Sequence, residues 1–527
     1  MKILKTLFLF VVLFSVLFEL SAGGKSENEA NESGKDLPSI AYYAYASEPI
    51  LDWDPSVMSS DGIIVLNNVY ETLLRYDAES NELIPLLAES YSVSDDFMFW
   101  TFKIRQGVFF HDGSVLNAED VKYSIDRTMR NQKGLSYIWD AVANIKVVDE
   151  YTVEFELYYP SPLNLVSSSG YSAFIFSSTS VTSDDSDWFS GGKECGTGPY
   201  MLQSQISGDQ VVLTQFEDYW KGWEGEHFDK VIIKKITETS SRRQMLEKGD
   251  ADITNGLPIE DIQALRLLDN VEIYAEKSFI NAATYFNTNK EPLNNKLVRQ
   301  ALSYAFPYDD VIKYVLGGYG TQSAGPIPIG LWGHGSDLFQ YNLDIDKAKK
   351  LLAEAGYPGG GFDLLYTYTS GDEDQKKVAE LYKYELSKIG VILEIRGMPW
   401  DSQIEMAKGS EDNRQDMTMM YWWPDYVSPI SWMYNLYHTE EFTLFNYSYY
   451  SNSDVDLLIE DADFISAVDV GEAADLFIQA QEIIIDDAPA IFEYDSINLW
   501  ASNSSFKGYK INSAYPYVVF FYDTYRE

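Results

Sequence analysis

Apolar and polar positions alternate with period two around Phe97, Phe99, Thr101 and Lys103, inside SVSDDFMFWTFKIRQGVFF. Side chains of a strand point to opposite faces in turn, so this stretch predicts a half-buried strand or hairpin. SIAYYAYASEPILDWDPS (39–56) is β-prone in its first half and ends in Pro/Asp turn chemistry. A helix is expected from Ile63 to Leu74. IKVVDEYTVEFEL (145–157) predicts a strand pair around an Asp-Glu turn, and QVVLTQFEDYW and KVIIKKI predict further strands. GTGPYMLQS (196–204) reads as a Gly/Pro turn into a strand. SRRQMLEKGDADIT reads as a helix, a glycine stop and a short strand into the loop NGLPIED.

From about Asn287 the pattern changes period. KLVRQALSYAF, DDVIKYVL and DKAKKLLAEAG are helices, ended by Pro307, Gly317-Gly318 and Gly356. FDLLYTYT, VILEIRGMPW and DMTMMYWW are strands, and QKKVAELYKYELSKIG is the helix between the first two. A β-α-β-α-β order implies parallel strands with helices on the faces. Two helices follow near Asp454–Ser466 and Gly471–Asp486, and the tail ends in aromatic-rich strands around IFEYDSINLW and YPYVVFFY. The class is α/β.

The first residues do not belong to this pattern. Lys2 and Lys5 precede the apolar run LFLFVVLFSVLF, which at about 12 residues is short for a bilayer span and suits an export signal over 1–24. Residues 25–35 read as a flexible polar leader. A lipoprotein would carry a cysteine near Gly23, and the only cysteine of the chain is Cys195. The mature chain is therefore expected to be soluble and periplasmic or otherwise extracytoplasmic.

Charge narrows the partners. Thirty-nine basic residues stand against 81 acidic ones, a formal net charge of −42. Nucleic acid and anionic membrane are poor partners for such a chain. Catalytic motifs do not appear: no GxxxxGK[ST], GxSxG or HExxH occurs, and SSFK from Ser504 lacks companion motifs. His111 is one of four histidines. His111-Asp112-Gly113 reads as a turn, with Asn117 capping the next helix and Asp120 completing a capping box. Val121, Ile125, Thr128 and Met129 give that helix one apolar face. No second histidine or carboxylate stands at ligand spacing near His111, so a structural role is expected. No metal and no cofactor is expected.

Five blocks in order carry a resemblance to a family. They are LAESYSVSDD with WTFKIRQGVFFHDGSVLNAEDVKYSIDR, then GTGPYML, YFNTNKEPLNNKLVRQALSYAF and KAKKLLAEAGYP. Together they resemble the extracytoplasmic solute-binding proteins of ABC importers, the peptide/nickel class. The resemblance implies a two-lobed, type II-like periplasmic-binding-protein fold with an extra domain inserted in the first lobe. Lobe I would comprise 36–68, 196–283 and 488–527, the inserted domain 69–195, and lobe II 284–487. It also implies a monomer that closes on its ligand and delivers it to a membrane permease, without catalysis.

The same resemblance supplies site residues. MMYWWPDYVSP (419–429) is similar to the segment of peptide binders whose aspartate pairs with the ligand's α-ammonium, which places that role on Asp425. Trp422, Trp423 and Tyr426 flank it. Longer-peptide binders carry a basic residue six positions earlier, where this chain has Met419. Ser47, Glu48, Asn255 and Gly256 fall in first-lobe loops expected to touch ligand backbone, and Tyr137, Trp400 and Tyr494 fall at aromatic cleft positions. Short peptides are the expected ligand. The alternatives are an oligosaccharide stacked on the tryptophans, a nickel chelate on the same fold, and, from another class, an exported hydrolase.

Overall fold

The computed structural model describes residues 38–58, 62–182 and 186–527. The expected export signal and leader lie outside the described residues. Two strands organise the rest. Val271–Phe286 and Ala490–Asn503 are 16 and 14 residues long and pair antiparallel in the middle of an eleven-stranded sheet. On one side of them lie Met417–Trp422, Phe362–Thr369 and Val391–Met398. On the other lie Ile253–Asn255, Ile40–Tyr45, Lys230–Lys235, Gln210–Gln215 and Tyr200–Ile206.

The expected parallel strands are present: Phe362–Thr369 pairs in parallel with both Val391–Met398 and Met417–Trp422. Helix Glu373–Ser387 connects the first two and buries Val378, Ala379, Tyr382 and Leu386. The two long strands are irregular at their centre. Ser278, Phe279 and Ile280 stand opposite Ser496 alone, and Glu493 is an extra residue between the pairs Ala282–Tyr494 and Ala283–Phe492. Bulges of this kind bend a strand and increase its twist.

A separate antiparallel sheet holds Ala88–Val93, Phe99–Ile104, Thr152–Leu157 and Val142–Asp149, in that order. The alternation around Phe97–Lys103 is the second of these strands, with Trp100, Phe102 and Ile104 buried. Helix Ala118–Asn131 packs on it, with the capping box of Asn117 and Asp120 in place and Val121, Ile125 and Thr128 buried.

Three element expectations change. The helix from Ile63 ends at Val69, and Leu74–Tyr76 is a strand. Tertiary partners stop it: the Val69 carbonyl accepts from Gly198 N, and Asn68 Nδ2 donates to Val519 O. The stretch 515–522 forms no strand, because Asn68 Oδ1 takes the Phe521 N–H that a ladder would use. The helix expected over DDVIKYVL is one α-turn, Tyr308–Asp310, followed by a π-helical turn, Val311–Val315.

Candidate functional site

The ends of the three parallel strands set the site. In an open α/β sheet the loops beyond the carboxyl ends of the strands form the binding crevice. Here those loops begin at Ser370, Pro399 and Trp423, so Asp372, Trp400 and Asp425 are carried at the same end of the sheet. Pro424 ends the third ladder and Pro429 opens helix Ile430–Tyr437. Ser431 in the first turn of that helix ties the loop down: its Oγ accepts from Asp425 N at 3.3 Å and donates to Tyr426 O at 3.1 Å. Trp422 Nε1 donates to Ser431 O at 2.6 Å.

Asp425 is buried, with 8% of its surface exposed. Its Oδ2 accepts from Tyr137 Oη at 2.6 Å and from Asn435 Nδ2 at 2.8 Å. Ser169 Oγ donates to its main-chain carbonyl at 2.6 Å. Burial pushes the carboxyl up to about 6, although Tyr137 and Asn435 pull it back down. Trp423 Nε1 donates to Tyr171 Oη at 3.0 Å. Tyr137, Ser169 and Tyr171 border the four-stranded sheet, whereas Trp423, Asp425 and Asn435 follow the parallel strands. These hydrogen bonds therefore join connecting segments that flank two different sheets in the chain.

A second cluster lies on the same strand. Tyr494 is buried and its hydroxyl is 3.5 Å from that of Tyr421. Tyr421 in turn bonds the Asp372 carboxyl, which burial raises above the ordinary carboxylate range. Burial and the neighbouring Asp372 push Asp374 up to about 6.

Of the residues marked in the sequence, the structure brings Asp425, Tyr137, Trp422, Trp423 and Tyr426 together. The others are engaged separately. Trp400 opens helix Trp400–Ala407 beside Tyr447, at 6.3 Å between ring centroids. Ser47 is exposed. Glu48 Oε1 accepts Gly208 N at 2.7 Å, in the turn of a hairpin. Asn255 is buried at a strand end, and the Gly256 carbonyl accepts from Arg242 at 2.8 Å. Met419 is fully buried opposite Thr284, a core position. Asn435, Ser169, Tyr171, Ser431, Tyr421 and Asp372 were missed. Tyr421 lies inside the segment 419–429 but carried no signal of its own there, and the others belong to no local motif; only the folded chain places them around the strand ends.

The His111 side chain is buried, with Nδ1 2.6 Å from Glu194 Oε2 and Nε2 2.8 Å from Gly198 O. A carboxylate does stand beside it, brought 83 residues along the chain by the fold. Burial opposes the charged ring, yet Glu194 and Gly198 hold it above the ordinary imidazole value. Among the described residues no group of three or more His, Cys, Asp or Glu could hold a metal ion. Cys195 is buried, and burial pushes its thiol well up.

Residues 82–443 match the family model of the bacterial extracellular solute-binding proteins, family 5, middle region. The chain belongs to this family. It is 30% identical over 468 residues to the probable D,D-dipeptide-binding periplasmic protein DdpA of Escherichia coli K12, covering 87% of this chain and 89% of that protein. The periplasmic binding protein DppA of Helicobacter pylori, solved in complex with the peptide STSA, superposes with a TM-score of 0.82 at 26% identity, over 93% of this chain and 98% of that one. NikA of Staphylococcus aureus, solved with Ni(L-His)2, shares the fold with a TM-score of 0.79 at 19% identity, over 93% of this chain and 100% of that one. The mixed α/β architecture of this family 5 solute-binding protein is thus the two-lobed one. Among its described residues no helix is long and apolar enough to cross a membrane.

Proposed function

We propose that this protein is the substrate-binding component of an ABC importer and that it captures short peptides between its lobes. The observation that carries the reading is Asp425: a buried carboxylate at the strand ends, held by neutral donors only. A carboxylate in a water-poor cleft recognises an ammonium strongly. The peptide-binding names of the relatives agree with that chemistry. Tyr137, Tyr426, Trp422 and Trp423 would wall the first residue of the ligand. Ser47, Glu48, Asn255, Gly256, Trp400 and Tyr494 would meet the ligand further along the cleft.

The sheets support a division into an inserted domain over 69–195, lobe II over 284–487 and lobe I in the remainder. The four-stranded sheet falls inside 69–195, and the parallel strands fall inside 284–487. The strands 271–286 and 490–503 run between the halves of the large sheet and would serve as the linkers. The protein would act as a periplasmic monomer that hands its ligand to a permease and turns nothing over.

Native mass spectrometry of the purified protein tests the ligand class. Denaturation should release short peptides with free α-amines. Release of sugars or of a metal chelate, with no peptide, would contradict the reading and favour an oligosaccharide or nickel ligand on the same fold.

A further inference from the structure

Asp425 stands where two sheets meet, and three hydrogen bonds cross there. Tyr137 donates to its carboxylate, Ser169 donates to its carbonyl, and Trp423 next to Pro424 donates to Tyr171. Gly170 sits between the two cross-linking residues on the near side. A Cβ there would lie 2.9 Å from the Tyr515 ring, so this turn is pressed against the body of its own lobe. Ser168 O, one residue before Ser169, accepts the Tyr515 hydroxyl at 2.8 Å. The turn 167–172 is a jaw braced on Tyr515, and the loop 423–429 is what it meets.

The groups around the carboxylate supply no positive charge. Tyr137 comes from the turn Ser136–Trp139, Asn435 and Ser431 from helix Ile430–Tyr437, and Ser169 and Tyr171 from the jaw. The titratable neighbours are Tyr137 and Tyr426, and Tyr426 also feels Asp463 and Tyr159. All are neutral or acidic. Closing the jaw strips water from an anion and replaces it with neutral donors, which costs free energy unless the charge is compensated.

We propose that Asp425 is the latch of lobe closure: its charge must be neutralised, by the cation of a ligand or by a proton, before the lobes stay shut. The peptide reading supplies the cation in the first case, and the proton arm holds whatever the ligand is. The sign follows from linkage. In the closed form the carboxyl is pushed up to about 6. In the open, solvated form it would titrate near the ordinary aspartate value of about 3.9. The closed form therefore binds more protons, and closure without ligand strengthens as pH falls. Between pH 7.5 and pH 5 the closing equilibrium should shift by about tenfold.

The test is small-angle scattering of the full-length mature protein, stripped of ligand by unfolding and refolding, from pH 7.5 to 5. The radius of gyration should shrink as pH falls. Asp425→Asn keeps the acceptor oxygen without the charge and should be compact already at pH 7.5, with little pH response. Asp463→Asn should respond as the wild type does, and Ser169→Ala should need a lower pH to close. A wild-type radius that stays constant over this range overturns the proposal. So does an Asp425→Asn protein as open at pH 7.5 as the wild type. If the substituted protein does not fold, the wild-type titration alone decides. None of these measurements uses a peptide, so their failure is distinct from failure of the peptide reading.

Discussion

Glu493 is a carboxyl held well above its ordinary range. It is the bulged residue of the strand Ala490–Asn503 and is 1% exposed. Its Oε1 accepts from Thr284 Oγ1 at 2.5 Å, and among the described residues its Oε2 has no hydrogen-bond partner. Tyr366, Tyr382 and Tyr494 surround it, without a cation. Burial pushes its carboxyl up to about 8, against a weaker downward pull from Thr284. The folded chain therefore holds this proton where the unfolded chain has released it, and stability falls as pH rises from the ordinary glutamate range to about 8. Between pH 6 and 7 this carboxyl should lower stability by about 1.3 kcal/mol per pH unit, and the slope should halve by about pH 8. Glu493→Gln mimics the neutral acid and should remove that slope. Denaturant unfolding of both proteins across pH 5 to 9 checks it, and parallel stability curves would contradict it. The sequence gives no hint of this residue. IFEYDSINLW reads as a strand, but the bulge that turns Glu493 inward arises from pairing with a strand more than 200 positions earlier. Asp425 was legible because a short segment around it resembles a known one. Its donors Tyr137 and Asn435 sit 288 and 10 residues away, and nothing local links them.

At the scale of elements, two of the sequence blocks that carry the family resemblance turn out to be packed on each other. The His111 N–H donates to Gly196 O at 2.8 Å, and His111 Nε2 is 2.8 Å from Gly198 O. Glu194 Oε2 accepts from Gly196 N at 3.1 Å, and Thr197 Oγ1 donates to the buried Glu71 at 2.9 Å. The glycines have a steric reason. A Cβ on Gly196 would lie 1.9 Å from the Val69 carbonyl oxygen, and one on Gly198 would lie 2.6 Å from Asn68 O. Backbone, not a flexible side chain, stands in the way. Gly196→Ala should cost at least about 2 kcal/mol of stability, at the level of a strained or overpacked core. Chemical unfolding measures it, and a change under 0.5 kcal/mol, roughly the size of a neutral surface substitution, would contradict this account. Helix Ala118–Asn131 could be read from the sequence because its cap and apolar face are local. The tail 515–522 could not, because Asn68, over 400 residues earlier, takes its backbone groups. His111 was expected to have a structural task, and Glu194 reaches it only through this packing.

At the scale of the whole molecule, the change of hydrophobic period near Asn287 announced the parallel strands, and the order of blocks implied two lobes. What remained hidden was which loops meet at Asp425. Ser169 and Tyr171 reach the loop after Trp422 only in the folded chain. We propose that Asp425 selects the free α-ammonium of a peptide ligand. Calorimetric titration with matched free and N-acetylated short peptides, on the wild type and on Asp425→Asn, tests it most directly. Free peptides should bind the wild type about 30-fold to several thousand-fold more tightly than either acetylated peptides bind it or free peptides bind the variant, the roughly 2–5 kcal/mol expected for a buried charge left unpaired. Equal binding of free and acetylated peptides, or heat from oligosaccharides alone, would contradict the account.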